Sequence, residues 1–447
     1  MLKRLVGTSL LFWSLSSTGS AADYYVRQTV GNDSNDGLTA ATAFKSVSRL
    51  STVMNAGDTA YVGPGLYRGE IIVVRGGSKD QRIVFRADPT GGHTGDEPGP
   101  VVITGADPVD ETTFQPGSAP GVYTATVDPV IGMVEMDGDQ RRYAKARDSK
   151  EVIVDKMSEV DAVAKLPGSF AYDAKTRVLT FHTSDGQPPA SHEIELIRRG
   201  NGVAMTGKQG VTVIGFTFRH FGDAGINFFK GSGDGIAMGN TSFGSRQGVR
   251  VYGAKDILVY GNTLFRNDNS GVYFAAGSNG GIAIGNVAFE NIKGVRWSSA
   301  SIDGIAADNI LFDNRERGVS IEKSHHAVVR GNTIVNNAVS QLLVIDTDYG
   351  SEGNCFDVGK GRFVADFFYT ERFKTLADYQ QAKRRDLSSR EGGCEPLPAK
   401  FDVHALQRET AAYAERTGGA ASVPETSVVP PGSEAAWQNA VGAAAVQ

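Results

Sequence analysis

The chain has 447 residues, 40% of them hydrophobic and 21% charged, with 55 glycines and 16 prolines. That is globular composition, and glycine well above its usual share of about 7% points to turn-rich β architecture. The formal net charge of −5 carries no basic excess of the kind nucleic-acid binding uses, so nucleic acid is not an expected partner. An acidic polymer remains open if the basic residues gather on one face.

In chain order, residues 1–22 come first, with Lys3 and Arg4 ahead of an apolar run from Leu5 to Leu15 and small residues ending Ser20-Ala21-Ala22. This reads as a secretory signal cleaved after Ala22. The run falls short of the roughly 18 apolar residues a span needs, and no later segment is apolar enough to cross a membrane. The expected location is secreted or periplasmic.

Between residues 107 and 200, GVYTATV, MVEMDGDQRRYAKAR, GSFAYDAKTRVLTFH and HEIELIRR alternate in the manner of strands with tight turns. From 201 to 360 a repeat takes over. Gly-Asn or Asp-Asn pairs place Asn at 240, 262, 286, 309, 332 and 354, at intervals of 22, 24, 23, 23 and 22. Phe243, Phe265, Phe289, Phe312 and Val335 follow three positions later, and a second Asn column stands at 267, 291, 314 and 337. A period near 23 with short β-runs predicts one coil of a parallel β-solenoid per repeat, with like residues stacked at the strand spacing of about 4.8 Å. Stacked Asn side chains are expected to hydrogen-bond along their column.

The opening segment YYVRQTVGNDSNDGLTAATAFKSVSRL, continued by AGDTAYVGPGLYRGEIIVV, resembles the start of right-handed parallel β-helix proteins of the pectate-lyase-like superfamily. Residues 361–389, with FFYTERFKTLADYQQAKRRDLSS, resemble their closing segment. The resemblance implies an all-β, single-stranded right-handed parallel β-helix. It also implies an N-terminal cap and first coils over 23–106, a C-terminal cap over 361–399, and a carbohydrate context outside the cytoplasm. The stretch 107–200 is similar to the small β-sandwich insertion of some β-helix glycosidases, or is a plain decoration. Residues 400–447 read as a short amphipathic helix near Val403–Arg416 and a disordered tail. The expected assembly is a monomer. Cys355 and Cys394, an even pair in an exported chain, are expected to form a disulfide, with two buried thiols as the alternative.

Aligning the strand after each turn puts Val249, Val251, Val272, Phe274, Val295 and Trp297 inward and leaves an outward column Asn227, Arg250, Tyr273, Arg296, Ser320, Leu343. Beside it run Phe229, Tyr252, Ala275, Ser298, Glu322 and Ile345. Arg250, Arg296, Tyr273, Tyr252 and Asn227 are the candidate substrate-binding residues, since rings stack on sugars and guanidinium forks grip carboxylates. Next come Ser299, Lys323 and Asp346, then Ser301, His325 and Asp348. Lys323, Glu322, Asp346, His325 and Asp348 are the candidate catalytic residues.

Two reactions fit. In β-elimination Lys323 removes the proton beside a uronate carboxylate; in hydrolysis Glu322 and Asp346 form the carboxylate pair. A polysaccharide-binding protein without catalysis is the third reading. The segment Glu316 to Asn332 is similar to calcium-assisted alginate and dermatan lyases of this fold, which implies Glu316 as a ligand of a Ca2+ cofactor and Lys323 as base. Two family positions differ, the catalytic Arg falling at Val344 and a second acidic ligand at Gly318. The Asp-Pro-His-Asp motif of C-5 epimerases is absent, Asp107-Pro108-Val109-Asp110 lacking the His.

Overall fold

A computed structural model describes residues 21–137, 141–150, 156–359, 363–368 and 370–394. The expected signal peptide, apart from Ala21 and Ala22, and the helix and tail past residue 394 lie outside the described residues. Each repeat closes one coil by visiting three sheets in turn, so parallel strands of neighbouring coils stack into three ten-stranded sheets. The coil beginning at Val211 shows the order: Val211–Ile214 in sheet A, Thr217–Arg219 in sheet B, Ala224–Phe229 in sheet C. Among the described strands of these three sheets, only Glu371–Phe373 at the end of sheet C runs antiparallel. The architecture is therefore the expected right-handed parallel β-solenoid.

The Asn columns explain the period. Asn240, Asn262, Asn286, Asn309, Asn332 and Asn354 are all at most 1% exposed. Each of the first five donates from Nδ2 to the Oδ1 of the next, at 2.9–3.1 Å, and Asn354 ends the column by donating to Asp386 Oδ1 at 2.9 Å. Nδ2 also donates to a backbone carbonyl of the preceding coil, and Oδ1 also accepts the next-lower Asn backbone N–H, as between Asn262 and Asn286 at 2.9 Å. The residue before each Asn must turn a corner with positive φ, between 53° and 63°, hence the repeated Gly at 239, 261, 285, 331 and 353 and Asp at 308. The second column runs from Asn267 through Asn291, Asn314 and Asn337 to Gln341 at 2.7–3.2 Å.

Inside, the predicted inward residues form the continuous core, with Phe274 stacked on Trp297 at 5.2 Å. On sheet B the Phe243, Phe265, Phe289 and Phe312 rings stack outward at 4.8–5.0 Å. Residues 106–197 build two small sheets, of four and five strands, around Phe114, Met133, Tyr143, Phe170, Leu179 and Phe181. Arg142 ties them to the solenoid, donating to the carbonyls of Phe221 and Gly244 at 2.9 and 2.8 Å and pairing with Asp268 at 2.8 Å. At the C-terminal end the helix Leu376–Lys383 covers the last coil, with Thr375 as its N-cap and Leu376 and Tyr379 buried. Cys355 and Cys394 are joined by a disulfide. No described helix is long and apolar enough to cross a membrane.

Candidate functional site

Sheet C carries the candidate face, and its register is the predicted one: Asn227 pairs with Arg250, Arg250 with Tyr273, Tyr273 with Arg296, Arg296 with Ser320 and Ser320 with Leu343. The column changes character along its length. Asn227 is buried and donates to Asn201 at 3.1 Å, and Ser320 and Leu343 are buried too. The half-buried part is Arg250, Tyr273 and Arg296.

There the side chains organise one another. Phe229 and Tyr252 stack at 5.2 Å with planes 13° apart, and the Arg250 guanidinium lies 5.5 and 4.4 Å from their centroids. Arg250 also pairs with Asp223. Two coils on from Arg250, Arg296 lies over Tyr273 of the coil between at 5.0 Å and grips both oxygens of Glu322, Nε to Oε1 at 3.0 Å and Nη2 to Oε2 at 2.6 Å. Ser320 donates to Oε1 at 2.6 Å, and the Tyr273 hydroxyl meets Ser298 Oγ at 2.9 Å. Phe229 and Asp223, absent from the candidate set, are thus part of this face; the outward alternation that placed Tyr252 also marks Phe229.

Glu322 is a fixed carboxylate. Burial pushes its carboxyl up, but the hydrogen bonds from Arg296 and Ser320 and the Arg296 charge outweigh that and leave it below the usual glutamate value. A group so held is poorly suited to donating a proton, and the strand alternation gives no sign of its pairing with Arg296.

Lys323 and Asp346 stand on successive coils at left-handed corners, φ 49° and 46°, and both are exposed. The backbone continues through them, with Lys323 N donating to Ile345 O at 2.8 Å, but no ion pair joins the two side chains. The reason is local: at a left-handed corner the side chain leaves the alternation of the strand.

His325 and Asp348 do meet, Nδ1 to Oδ1 at 2.9 Å. His326 joins them, its Nδ1 3.0 Å from Asp303 and its Nε2 3.4 Å from Asp348. The Asp348 carboxyl sits below its ordinary value, burial being outweighed by hydrogen bonds from the His325 side chain and the His326 backbone. The expected stacking of Ser301 on His325 is corrected by one residue: Ile302 pairs with His325, while Ser301 turns inward to donate to Ser298 O at 2.9 Å.

The residues at the calcium-ligand positions do not fit that ion. Glu316 accepts from Arg317 at 2.6 Å and pairs with Lys293 at 3.2 Å, so its charge is already met by two cations. Calcium takes six to eight oxygen ligands, and here one carboxylate faces two cationic side chains. Val344 is buried in the core, and a Cβ at Gly318 would fall 2.3 Å from Ile334 Cγ2, so neither position has room outward for a family side chain.

Among solved structures, one described as the complex of XylC with xylose superposes with a TM-score of 0.59 over 75% of this chain and 67% of that one, at 16% identity. One described as a glycoside hydrolase superposes with a TM-score of 0.51 over 88% and 100%, at 9% identity. The fold is the right-handed parallel β-helix. A family model for a β-helix family described as periplasmic copper-binding protein (NosD) matches residues 183–355, from the end of the insertion through the coils that hold sheet C's candidate face. A structure described as a rhamnogalacturonan lyase aligns at 12% identity over 75% of the β-helix chain and 74% of its own, with a TM-score of 0.47. No curated protein matches the sequence.

Proposed function

We propose that this protein is exported to the periplasm or beyond, binds a uronic-acid-containing polysaccharide along sheet C, and cleaves it by β-elimination. The observation that carries the reading is the outward ladder of Phe229, Tyr252, Arg250, Tyr273 and Arg296 on consecutive coils, which sets aromatic rings and guanidinium groups along the outer side of sheet C at the strand spacing. The neighbours described as carbohydrate complexes or hydrolases support the substrate class, and the matched family's periplasmic description supports the location.

Elimination is preferred to hydrolysis because both oxygens of Glu322 already accept from Arg296 and Ser320, whereas either hydrolytic route needs both carboxyls of the pair turned to the bond that breaks. In this reading Lys323, exposed beside the ladder, takes the proton from the carbon bearing the carboxylate. The C–O bond on the adjacent carbon breaks as the ring double bond forms, and the proton passes to the departing oxygen. Arg296, already fixed on Glu322, adds positive charge near the developing enolate.

A second reading follows from the same family description. His325 and His326, crosslinked through Asp348 and Asp303 at the edge of this face, offer the imidazole donors that Cu2+ accepts.

The test is incubation with a panel of acidic and neutral glycans. Ultraviolet absorbance from an unsaturated product, lost in Lys323→Ala, is the expected result. Reducing ends without that absorbance, lost in Asp346→Asn, would overturn elimination in favour of hydrolysis. Binding without any product would leave the glycan-binding protein.

A further inference from the structure

A second group of donors lies on the insertion, away from sheet C. Glu135 ends the strand Gly132–Glu135, and Asp137 follows two residues on, so both look to one side. The strand Ile194–Ile197 runs antiparallel beside it with Glu135 opposite Ile194. The Met136 amide donates to Glu193 O at 2.8 Å, which extends the pairing and sets His192 across from Asp137. One donor atom from each of Glu135, Asp137 and His192 lies within 4.8 Å of the other two. His192 Nδ1 is 2.5 Å from Asp137 Oδ2 and 3.9 Å from Glu135 Oε1.

Each donor is also held from behind. His192 Nε2 faces Asp185 Oδ1 at 3.1 Å. Asp137 Oδ1 accepts the Glu193 amide at 2.5 Å, which leaves Oδ2 toward the ring. Glu135 accepts from the Tyr143 hydroxyl at 2.7 Å and from Ser184 at 2.8 Å. Metal-binding imidazoles nearly always donate their other N–H to a carboxylate, and ligating carboxylates are themselves hydrogen-bonded. An ordinary surface ion pair needs none of these outer contacts. The His192 and Glu135 side chains are 7% and 9% exposed while Asp137 is 35% exposed, so the group is walled on the protein side and open at Asp137.

We propose that Glu135, Asp137 and His192 bind a divalent transition-metal cation, with Asp185 as the positioning residue that turns Nδ1 toward it. Two carboxylates balance the charge of the ion. One imidazole with two carboxylate oxygens suits Zn2+ or Cu2+, whereas calcium takes an all-oxygen shell of six to eight ligands. The site is independent of the sheet C face and of the His325–His326 pair.

Equilibrium dialysis of the purified chain against Zn2+ and Cu2+ tests this. One equivalent is expected at this site, lost in His192→Gln and in Asp137→Asn and retained in the His325→Gln/His326→Gln double variant. Asp185→Asn is expected to weaken it by about 10–100-fold while the melting temperature of the metal-free protein stays unchanged. Calcium in excess should not displace it, and bound Cu2+ should show electron paramagnetic coupling to one nitrogen. Because His192→Gln is largely buried, the more exposed Asp137→Asn decides if that variant misfolds. Failure of the parent to bind, binding undiminished in Asp137→Asn, or loss only in the double variant would overturn the proposal without touching the polysaccharide reading.

Discussion

Replacing Asn286 by Ala removes one rung from the middle of the longer Asn column. Its Oδ1 accepts from the Asn262 backbone N–H and from Asn262 Nδ2, both at 2.9 Å. Its Nδ2 donates to Val259 O at 2.9 Å and to Asn309 Oδ1 at 3.0 Å. Asn309 Oδ1 keeps the Asn286 backbone N–H at 2.9 Å, and Asn262 Nδ2 keeps the carbonyls of Ala237 and Tyr260 at 2.9 and 3.1 Å. The Asn262 amide and the Val259 carbonyl are the groups that lose a bond with no side chain to replace it. At about 1–3 kcal/mol for each buried polar group left unpaired, the two groups together should cost the variant about 2–6 kcal/mol. In a solenoid, stability is close to a sum of coils and their interfaces, so the loss should be local. Amide exchange should quicken across residues 259–309 before it quickens in the first coils, and the urea transition should shift to lower concentration. A variant within about 0.5 kcal/mol of the parent, with exchange unchanged at Asn262, would refute the claim that the amide column holds the coils in register.

Three further outcomes are expected. Cys394→Ser opens a link between residues 39 apart in sequence, and it should cost about 3–4 kcal/mol in the chain-entropy model, read as earlier exchange in the helix Leu376–Lys383; an unchanged helix would show that the bridge does not hold the cap. The folded Glu322 carboxyl lies below its ordinary value of 4.5, burial being outweighed by Arg296 and Ser320. Its contribution is therefore present above about pH 4.5 and lost as pH falls through the lowered value. Glu322→Gln should flatten the acid end of the stability profile, and an identical acid profile would contradict the pairing. Tyr273→Ala should weaken glycan binding while the melting temperature falls only slightly, since the ring is half-buried on the outer face; a large drop in melting temperature would make it a packing residue.

The solenoid was legible because each coil returns the same residue type to the same surroundings. Asn286 and Asn309 meet the same partners, so the requirement repeats in the sequence every 22–24 residues. The register of sheet C was legible for the same reason, and Arg250, Tyr273 and Arg296 stack as the strand pattern implied. The pattern fails at the corners. Lys323 and Asp346 hold positive φ, so counting by twos past Glu322 no longer says where their side chains go. A one-residue slip at the same turn brings Ile302 rather than Ser301 beside His325. The grip of Arg296 on Glu322 runs diagonally between two columns, which column-by-column alignment does not reveal. The donors on the insertion had no repeat to expose them. An antiparallel pairing joins Glu135 to Ile194 across the sequence, and only the short strands MVEMD and HEIEL pointed to it.

Whether polysaccharide lies along the outer face of sheet C is decided by a crystal structure of the protein soaked with an oligouronide. Sugar is expected against Tyr252 and Tyr273, with carboxylates toward Arg250 and Arg296 and Lys323 next to the carbon that loses its proton. Sugar bound on the Phe265 column of sheet B, or on the insertion, with sheet C bare, would contradict it.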